Sequence, residues 1–115
     1  MTPVRSPDTA VLVISTAPTV EAADRLAEIL VAERLAACVS HLPGVRSRFH
    51  WRGGVEVVEE VMLLMKTRAE LAPHLVHRLA EIHPYEVPEI LVVPVTLGHA
   101  PYLAWITETT ENGDS

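Results

Sequence analysis

The chain has 115 residues, a length that favours a single domain. Fifteen acidic against nine basic residues give a net charge of −6 with histidine neutral, which argues against binding to the phosphate backbone of nucleic acids. Apolar residues make up 49% of the chain, a high share for a small domain, so we expect some apolar surface to face a partner chain.

The single cysteine and the apolar runs bear on the compartment. Cys38 has no second cysteine to pair with, which excludes an intramolecular disulfide and a CxxC metal motif. Residues 1–8 are polar and contain two prolines, so we expect a flexible tail there and not a signal peptide. No run approaches the roughly 18 consecutive apolar residues of a membrane span. We therefore expect a cytoplasmic protein that does not associate with membranes.

A strand and a helix are predicted first. Val11 to Ile14 form a β-branched run without alternation, which indicates a central strand that ends in the turn from Ser15 to Pro18. Thr19 is suited to cap the next helix, in which apolar residues recur at helical spacing to about Arg34.

A long hairpin is predicted next. Residues 37–51 read as one strand with a bend at Pro43-Gly44, and Val55 to Thr67 read as the returning strand. Two strands of more than about ten residues exceed the usual length in a small domain. A hairpin arm that projects past one domain exposes unpaired edges, so we expect another subunit to cover it.

The turn of this hairpin sets its register. Gly53-Gly54 is typical of a tight two-residue turn. With that pair at the centre, Arg48 would lie opposite Glu59, where opposite charges favour pairing.

A second helix is predicted between about residues 69 and 82. Thr67 and Glu70 match a capping box. Pro73 would lie too deep in a helix that begins there, because proline removes a backbone donor. We therefore expect a short turn first, with the regular helix beginning nearer Leu71.

The remaining elements complete a fold class. Ile90 to Thr96 read as the last strand, and Pro94 within it indicates a sheet edge. A short helix is predicted at 100–109, followed by a flexible tail at 110–115. The order strand, helix, strand, strand, helix, strand predicts one α+β domain, residues 9–109, with the ferredoxin-like βαββαβ sandwich.

Two residues around the proline-rich turn after the second helix are candidate metal ligands. His83 and Glu89 would provide an imidazole and a carboxylate, which suit Zn²⁺ or Cu²⁺, although two ligands do not complete a site. The alternative is that His83 only helps to end the helix. Neighbouring subunits could supply the missing ligands.

A pocket between subunits is a second candidate site. Trp51, Glu60, Lys66 and Tyr85 fall near strand ends and the proline turn, where they could hold a small anion or metabolite. The alternative is an interface ion pair with ordinary packing. The sequence has no nucleophile elbow, P-loop or dinucleotide fingerprint, so we expect no catalysis.

Several segments also match one known family. In chain order they are Ser15-Thr16-Ala17-Pro18, Glu33-Arg34-Leu35-Ala36-Ala37-Cys38, Pro43-Gly44, Trp51-x-Gly53, Lys66-Thr67, His83 to Val95 and Tyr102-Leu103-x-Trp105. This ordered set resembles the CutA family of divalent-cation-tolerance proteins. The resemblance implies a homotrimer with hairpin arms packed between subunits, in a cytoplasmic protein that binds copper or similar divalent ions.

The resemblance also implies which residues would bind the metal. Some members have a cysteine where this chain has Ser15, and a histidine where it has Ile82. His83 and Glu89 are retained. A hydroxyl is a poorer ligand for copper than a thiolate, so the implied set of His83, Glu89 and Ser15 should bind copper more weakly.

Two other functions remain open from the sequence. Trimeric proteins of the PII signalling type have a similar architecture and bind effectors between subunits, which makes a nucleotide or anion sensor one alternative. The other is a structural trimeric scaffold for protein partners that the sequence does not identify.

Overall fold

A computed structural model describes residues 9–111. The elements in chain order are β1 (Ala10–Ala17), α1 (Val20–Ala32), β2 (Cys38–Trp51), β3 (Gly54–Arg68), α2 (Ala72–Ile82), β4 (Ile90–Pro94) and α3 (Ala100–Thr110). The tail predicted at residues 1–8 lies outside the described residues, as do residues 112–115 of the tail predicted at the other end. Thr110, assigned to that tail, is instead the buried last residue of α3.

The four strands form one antiparallel sheet in the order β2-β3-β1-β4. This is the predicted ferredoxin-like arrangement. β4 lies at an edge, where Pro94 has no ladder hydrogen bond to lose on its outer side. β1 is longer than predicted and continues to Ala17, because Ser15 to Ala17 pair with β3.

The main core lies between the sheet and the helices α1 and α2. Alternate residues of β3, including Leu63 and Met65, are fully buried against Leu26 and Leu30 of α1 and Leu79 of α2. The neighbouring β3 residues point to the opposite face. On that face α3 covers one end of the sheet through Ile106, which packs on Ala10 and Ala37.

The hairpin arm extends well beyond the rest of the sheet. β2 and β3 have 14 and 15 residues, whereas β1 has 8. β1 pairs with residues 61–68 of β3, so the part of the arm beyond Glu60 has two strands only. The predicted bend is confirmed: the register of the hairpin shifts between Leu42 and Val45, and Gly44 between them has a φ of 81°.

The predicted register of the arm is wrong by two residues. The turn residues are Arg52 and Gly53, so Arg48 lies opposite Val57 and not opposite Glu59. Both turn residues have positive φ, 49° and 85°, as a type I′ turn requires. Arginine is uncommon in that conformation. Here its guanidinium forms an exposed salt bridge with Glu86.

The start of α2 follows the prediction in one respect only. A single 3₁₀ turn at Ala69–Leu71 precedes the helix, and Pro73 lies in its first turn, as expected. The capping box is wrong: neither the 3₁₀ turn nor α2 has a side-chain cap. Thr67 belongs to β3, which directs its hydroxyl into the core and away from the helix terminus, and there the hydroxyl has no partner.

The packing of α1 predicts a large contrast between two adjacent residues. Leu30 is fully buried, whereas Val31 is 42% exposed. Leu30→Ala leaves a cavity against the sheet and should lower the free energy of unfolding by about 2–5 kcal/mol. Val31→Ala should change it by less than about 0.5 kcal/mol. Urea denaturation at one fixed protein concentration measures both, and equal losses would contradict the described packing.

Candidate functional site

The site forms where the end of α2, the end of β1 and the base of the hairpin arm meet. α2 ends at Ile82, because His83 precedes Pro84 and a residue in that position is disfavoured in the helical region. His83 is extended, with φ −73° and ψ 139°. The chain therefore leaves the helix axis and runs along the end of the sheet as the 83–89 loop.

His83 connects this loop to β1. Its Nε2 lies 2.8 Å from the carbonyl oxygen of Thr16, and its Nδ1 accepts the backbone N–H of Tyr85 at 3.0 Å. Since Nδ1 is an acceptor, the proton must be on Nε2, and the imidazole is neutral. Burial lowers the pKa of His83, and this effect exceeds the opposing effects of the Thr16 hydrogen bond and the Glu60 charge.

Tyr85 connects the same loop to the hairpin arm. Its hydroxyl donates to Oε2 of Glu60 at 2.5 Å. Burial raises the pKa of Tyr85, and the hydrogen bond and charge of Glu60 raise it further, so the phenol remains a donor. Glu60 itself is only 6% exposed. A continuous set of hydrogen bonds thus joins β1, the loop and the arm.

A cleft of about 760 Å³ lies beside these hydrogen bonds. The register places Ser47, Phe49 and Trp51 of β2 on the same face as Glu56, Val58 and Glu60 of β3. The 83–89 loop forms the opposite wall. The full lining is Thr16, Ser47, Arg48, Phe49, Trp51, Glu56, Val58, Glu60, Tyr85, Glu86, Val87 and Glu89. Four carboxylates against one guanidinium favour a cation over an anion.

The structure brings together three of the four residues predicted to line a pocket. Trp51, Glu60 and Tyr85 all line the cleft. Lys66 does not, because it lies six residues along β3 from Glu60, nearer α3. Its Nζ donates to Ser40 Oγ at 2.7 Å and lies 3.8 Å from Cys38 Sγ.

The three candidate metal ligands lie near one another but face different surroundings. Ser15 Oγ and His83 Nε2 both approach the Thr16 carbonyl, at 3.5 and 2.8 Å. Ser15 is fully buried on the helix side of the sheet, where it shares a rung with Leu63. Glu89 is exposed and lines the cleft, on the other side.

The positions of these three residues show whether one chain could hold a metal ion by itself. Residues 9–111 contain no group of three or more His, Cys, Asp or Glu side chains arranged to do so. Both nitrogens of His83 are already in hydrogen bonds. The donor set therefore fits a divalent ion only in part: Glu89 is free to bind, whereas His83 would first have to release Tyr85.

Four functional residues were missed from the sequence. Thr16 contributes a backbone carbonyl, which no sequence motif indicates. Glu56 and Glu86 line the cleft, and Arg52 pairs with Glu86 at its edge. The alternation of side chains along β3 could have predicted Glu56, because Glu56 lies on the same face of the strand as Glu60.

The fold and site define a ferredoxin-like α+β domain with a long hairpin arm and a cleft lined by four carboxylates and one guanidinium. A family model described as "CutA1 divalent ion tolerance protein" matches residues 11–109. The chain belongs to this divalent-cation-tolerance family.

Individual relatives agree with this assignment. The chain is 43% identical to the divalent-cation tolerance protein CutA of Thermus thermophilus, over 86% of this chain and 96% of that one. It is 39% identical to the chloroplastic CutA protein of Arabidopsis thaliana, over 89% of this chain and 56% of that one. The crystal structure of CutA from Xylella fastidiosa superposes with a TM-score of 0.87 at 40% identity, over 90% of this chain and 99% of that one.

The hydrogen bonds of His83 predict a specific dependence of stability on pH. Because its pKa is lowered in the folded state, the unfolded chain binds a proton at higher pH than the folded chain does. The free energy of unfolding should fall as the pH drops below the ordinary value of 6.5 and level off below the folded-state pKa. Above 6.5 this contribution is fully present.

Urea denaturation of metal-free protein from about pH 8 to pH 5 measures this slope. His83→Gln should lose the part of the slope that His83 contributes. His74→Gln is the matched control, because His74 is exposed on α2 and has no ion pair within residues 9–111. Identical slopes in the wild type and His83→Gln would contradict the neutral, buried imidazole.

Proposed function

We propose that this protein is a homotrimeric, non-catalytic binder of divalent cations that acts in the cytoplasm. The observation that carries the proposal is the cleft, whose four carboxylates face one arginine. Membership of the divalent-cation-tolerance family supports the same class of ligand. A reducing compartment suits the single Cys38, which is free. No helix within residues 9–111 is long and apolar enough to cross a membrane.

The trimer is proposed from surface that one subunit leaves uncovered. β2 is an edge strand of 14 residues, and such edges are normally paired or protected. On the sheet face away from α1 and α2, Leu42, Leu91 and Val93 are 49%, 55% and 41% exposed. Water-exposed aliphatic side chains on one sheet face, next to an unpaired edge, support burial by neighbouring copies.

Light scattering after size exclusion tests the trimer at micromolar concentration. We expect a mass three times that of the subunit. Leu91→Glu introduces a charge into the uncovered face and should shift the mass towards the monomer. Val31→Glu, on the outer surface of α1, is the matched control and should remain trimeric. A wild-type protein with the mass of one subunit would overturn the proposal.

Glu89 and His83 are the proposed metal ligands; Ser15 lies near His83 but on the opposite side of the sheet from Glu89. Glu89 has no hydrogen-bond or ion-pair partner within residues 9–111, so its carboxylate can accept an ion directly. His83 would exchange the Tyr85 N–H for the metal at Nδ1. Since Ser15 lacks a thiolate, oxygen donors dominate, and copper should be favoured less than in a cysteine-containing site. Neighbouring subunits would complete the coordination.

Thermal unfolding of metal-free protein with added Cu²⁺ or Zn²⁺ tests this assignment. A metal at 100 times its dissociation constant should add about 2.7 kcal/mol of stability. Glu89→Gln and His83→Ala should each weaken binding. Glu28→Gln removes the same charge from an exposed position on α1 and should leave binding unchanged. Unaltered titrations of both ligand variants would remove the metal assignment.

The negative charge of the cleft argues against the alternative function, a sensor of nucleotides or anions. Lys66, the basic group that this alternative needed in the pocket, is bonded to Ser40 elsewhere. Arg48 is the single basic residue that lines the cleft as described. Nucleotide phosphates would face four carboxylates there, so the same thermal measurement with ATP should give no stabilisation.

A further inference from the structure

The chain contains a single lysine, and within one subunit this lysine has no carboxylate partner. Lys66 is half-buried on β3, on the sheet face away from α1 and α2. Its Nζ donates to Ser40 Oγ at 2.7 Å and lies 3.8 Å from Cys38 Sγ. No carboxylate of residues 9–111 forms an ion pair with it. The ammonium therefore has a hydrogen-bond acceptor but no counter-charge.

Glu60 is a carboxylate on the same sheet face that also lacks a counter-charge. It is 6% exposed, and its Oε2 accepts the Tyr85 hydroxyl at 2.5 Å. No basic side chain in the described part of the chain forms an ion pair with it. Lys66 is six positions away, about 20 Å along the strand, so the two side chains cannot meet within one subunit.

Covering this sheet face would remove water from both charged groups. Leu42, Leu91 and Val93 are exposed aliphatic side chains on it, and they support its burial by neighbouring copies. A charge that is buried without a counter-charge strongly destabilises an interface, whereas complementary charges fix its register. The interface therefore needs a carboxylate near Lys66 and a cation near Glu60.

The symmetry of a closed ring allows one contact to meet both needs. In a ring, each subunit presents one surface to the next subunit and a different surface to the previous one. Glu60 lies at the base of the arm, where the pairing with β1 ends. Lys66 lies at the opposite end of the face, where its backbone bonds to Ala37, which packs on α3. An arm that extends past its own sheet reaches the body of a neighbour, which brings opposite ends of two faces together.

We propose that Lys66 of one subunit forms a salt bridge with Glu60 of the next subunit at each interface of the ring. The inference rests on the proposed trimer and specifies a contact that closes it. Each subunit contributes one amine and one buried carboxylate, so the charges balance. Glu56 and Glu89 are exposed, whereas the Tyr85 hydroxyl holds the Glu60 carboxylate in a fixed position for the ammonium.

Carbodiimide crosslinking of the full-length protein tests this pair directly, because it joins an amine to a carboxylate without a spacer. The reagent activates the Glu60 carboxylate, the Lys66 amine attacks it to form an amide, and the reagent leaves as a urea. We expect covalent dimers and trimers on a denaturing gel. Trypsin does not cleave at the modified lysine, so residues 53–68 remain one peptide. A link between chains joins two copies of this peptide, whereas a link within a chain involves one copy.

Two adjacent glutamates provide the variant and its matched control. Glu60→Gln removes the carboxylate but keeps an acceptor for Tyr85, so the joined 53–68 peptides should disappear. Glu59→Gln removes the same charge from the other face of β3, opposite Arg46, and the link should remain.

Light scattering on the same samples separates failure of the pair from failure of the trimer. A trimeric protein in which Lys66 links to no carboxylate of another chain, or to one other than Glu60, would overturn the pair and leave the trimer in place. A mass of one subunit would overturn both proposals.

Charge reversal gives an independent measurement. Glu60→Lys and Lys66→Glu each place like charges together at every interface, and each should lower the urea midpoint at a fixed protein concentration. The double variant restores opposite charges and should recover most of the summed loss. Positions about 20 Å apart in one chain should give additive effects. Additive losses in the double variant would therefore contradict a contact between subunits.

Discussion

The strands that form this sheet have unequal lengths, and the distal half of the arm has only its own two strands for support. β1 ends at Ala17, opposite Val61, while β2 and β3 continue to the turn at Arg52 and Gly53. An isolated two-stranded ribbon is marginal in water, so this arm needs further contacts. Within the subunit these come from the 83–89 loop, which reaches the arm at Glu60 and Arg52. The cleft is the space left between that loop and the arm.

The contacts that position the loop are polar, unlike those that hold the main core. His83 bonds to Thr16 and Tyr85, and Tyr85 bonds to Glu60. In a buried environment such hydrogen bonds are strong, and losing one partner leaves the other unsatisfied. A neutral His83 is essential to this arrangement, because protonation would remove the acceptor that holds the Tyr85 backbone. The loop, and with it one wall of the cleft, therefore depends on the state of one imidazole.

The sequence predicted those features that local chemistry decides. Pro43-Gly44 indicated the bend, Pro73 the turn before α2, and Pro94 the edge position of β4. The register of the arm was not predictable in this way, since Gly53-Gly54 and Arg52-Gly53 are both possible turns. In the structure Arg52 has a positive φ and its side chain contacts Glu86, which is 34 residues away. The local sequence pattern does not indicate a contact between residues so far apart.

The candidate site was predictable to the same extent. The sequence grouped Trp51, Glu60, Lys66 and Tyr85 near strand ends, and the first, second and fourth of these line the cleft. It did not show that both nitrogens of His83 are used within the subunit, because one partner is a backbone carbonyl and another a backbone N–H. The misplacement of Lys66 has a similar origin. Lys66 and Glu60 share a strand face, but they are six positions apart, a distance of about 20 Å along the strand.

The positions of Ser15 and Thr16 decide which of the candidate side chains share one face of the sheet. Adjacent strand residues point to opposite faces. Ser15 faces the helices, together with Ile90 and Leu63, while Thr16 faces the cleft. Glu89 precedes Ile90 and also lines the cleft, so its carboxylate and the Ser15 side chain lie on opposite sides of the sheet. A soft donor at position 15 would therefore lie near His83, on the side of the sheet away from the carboxylates that line the cleft.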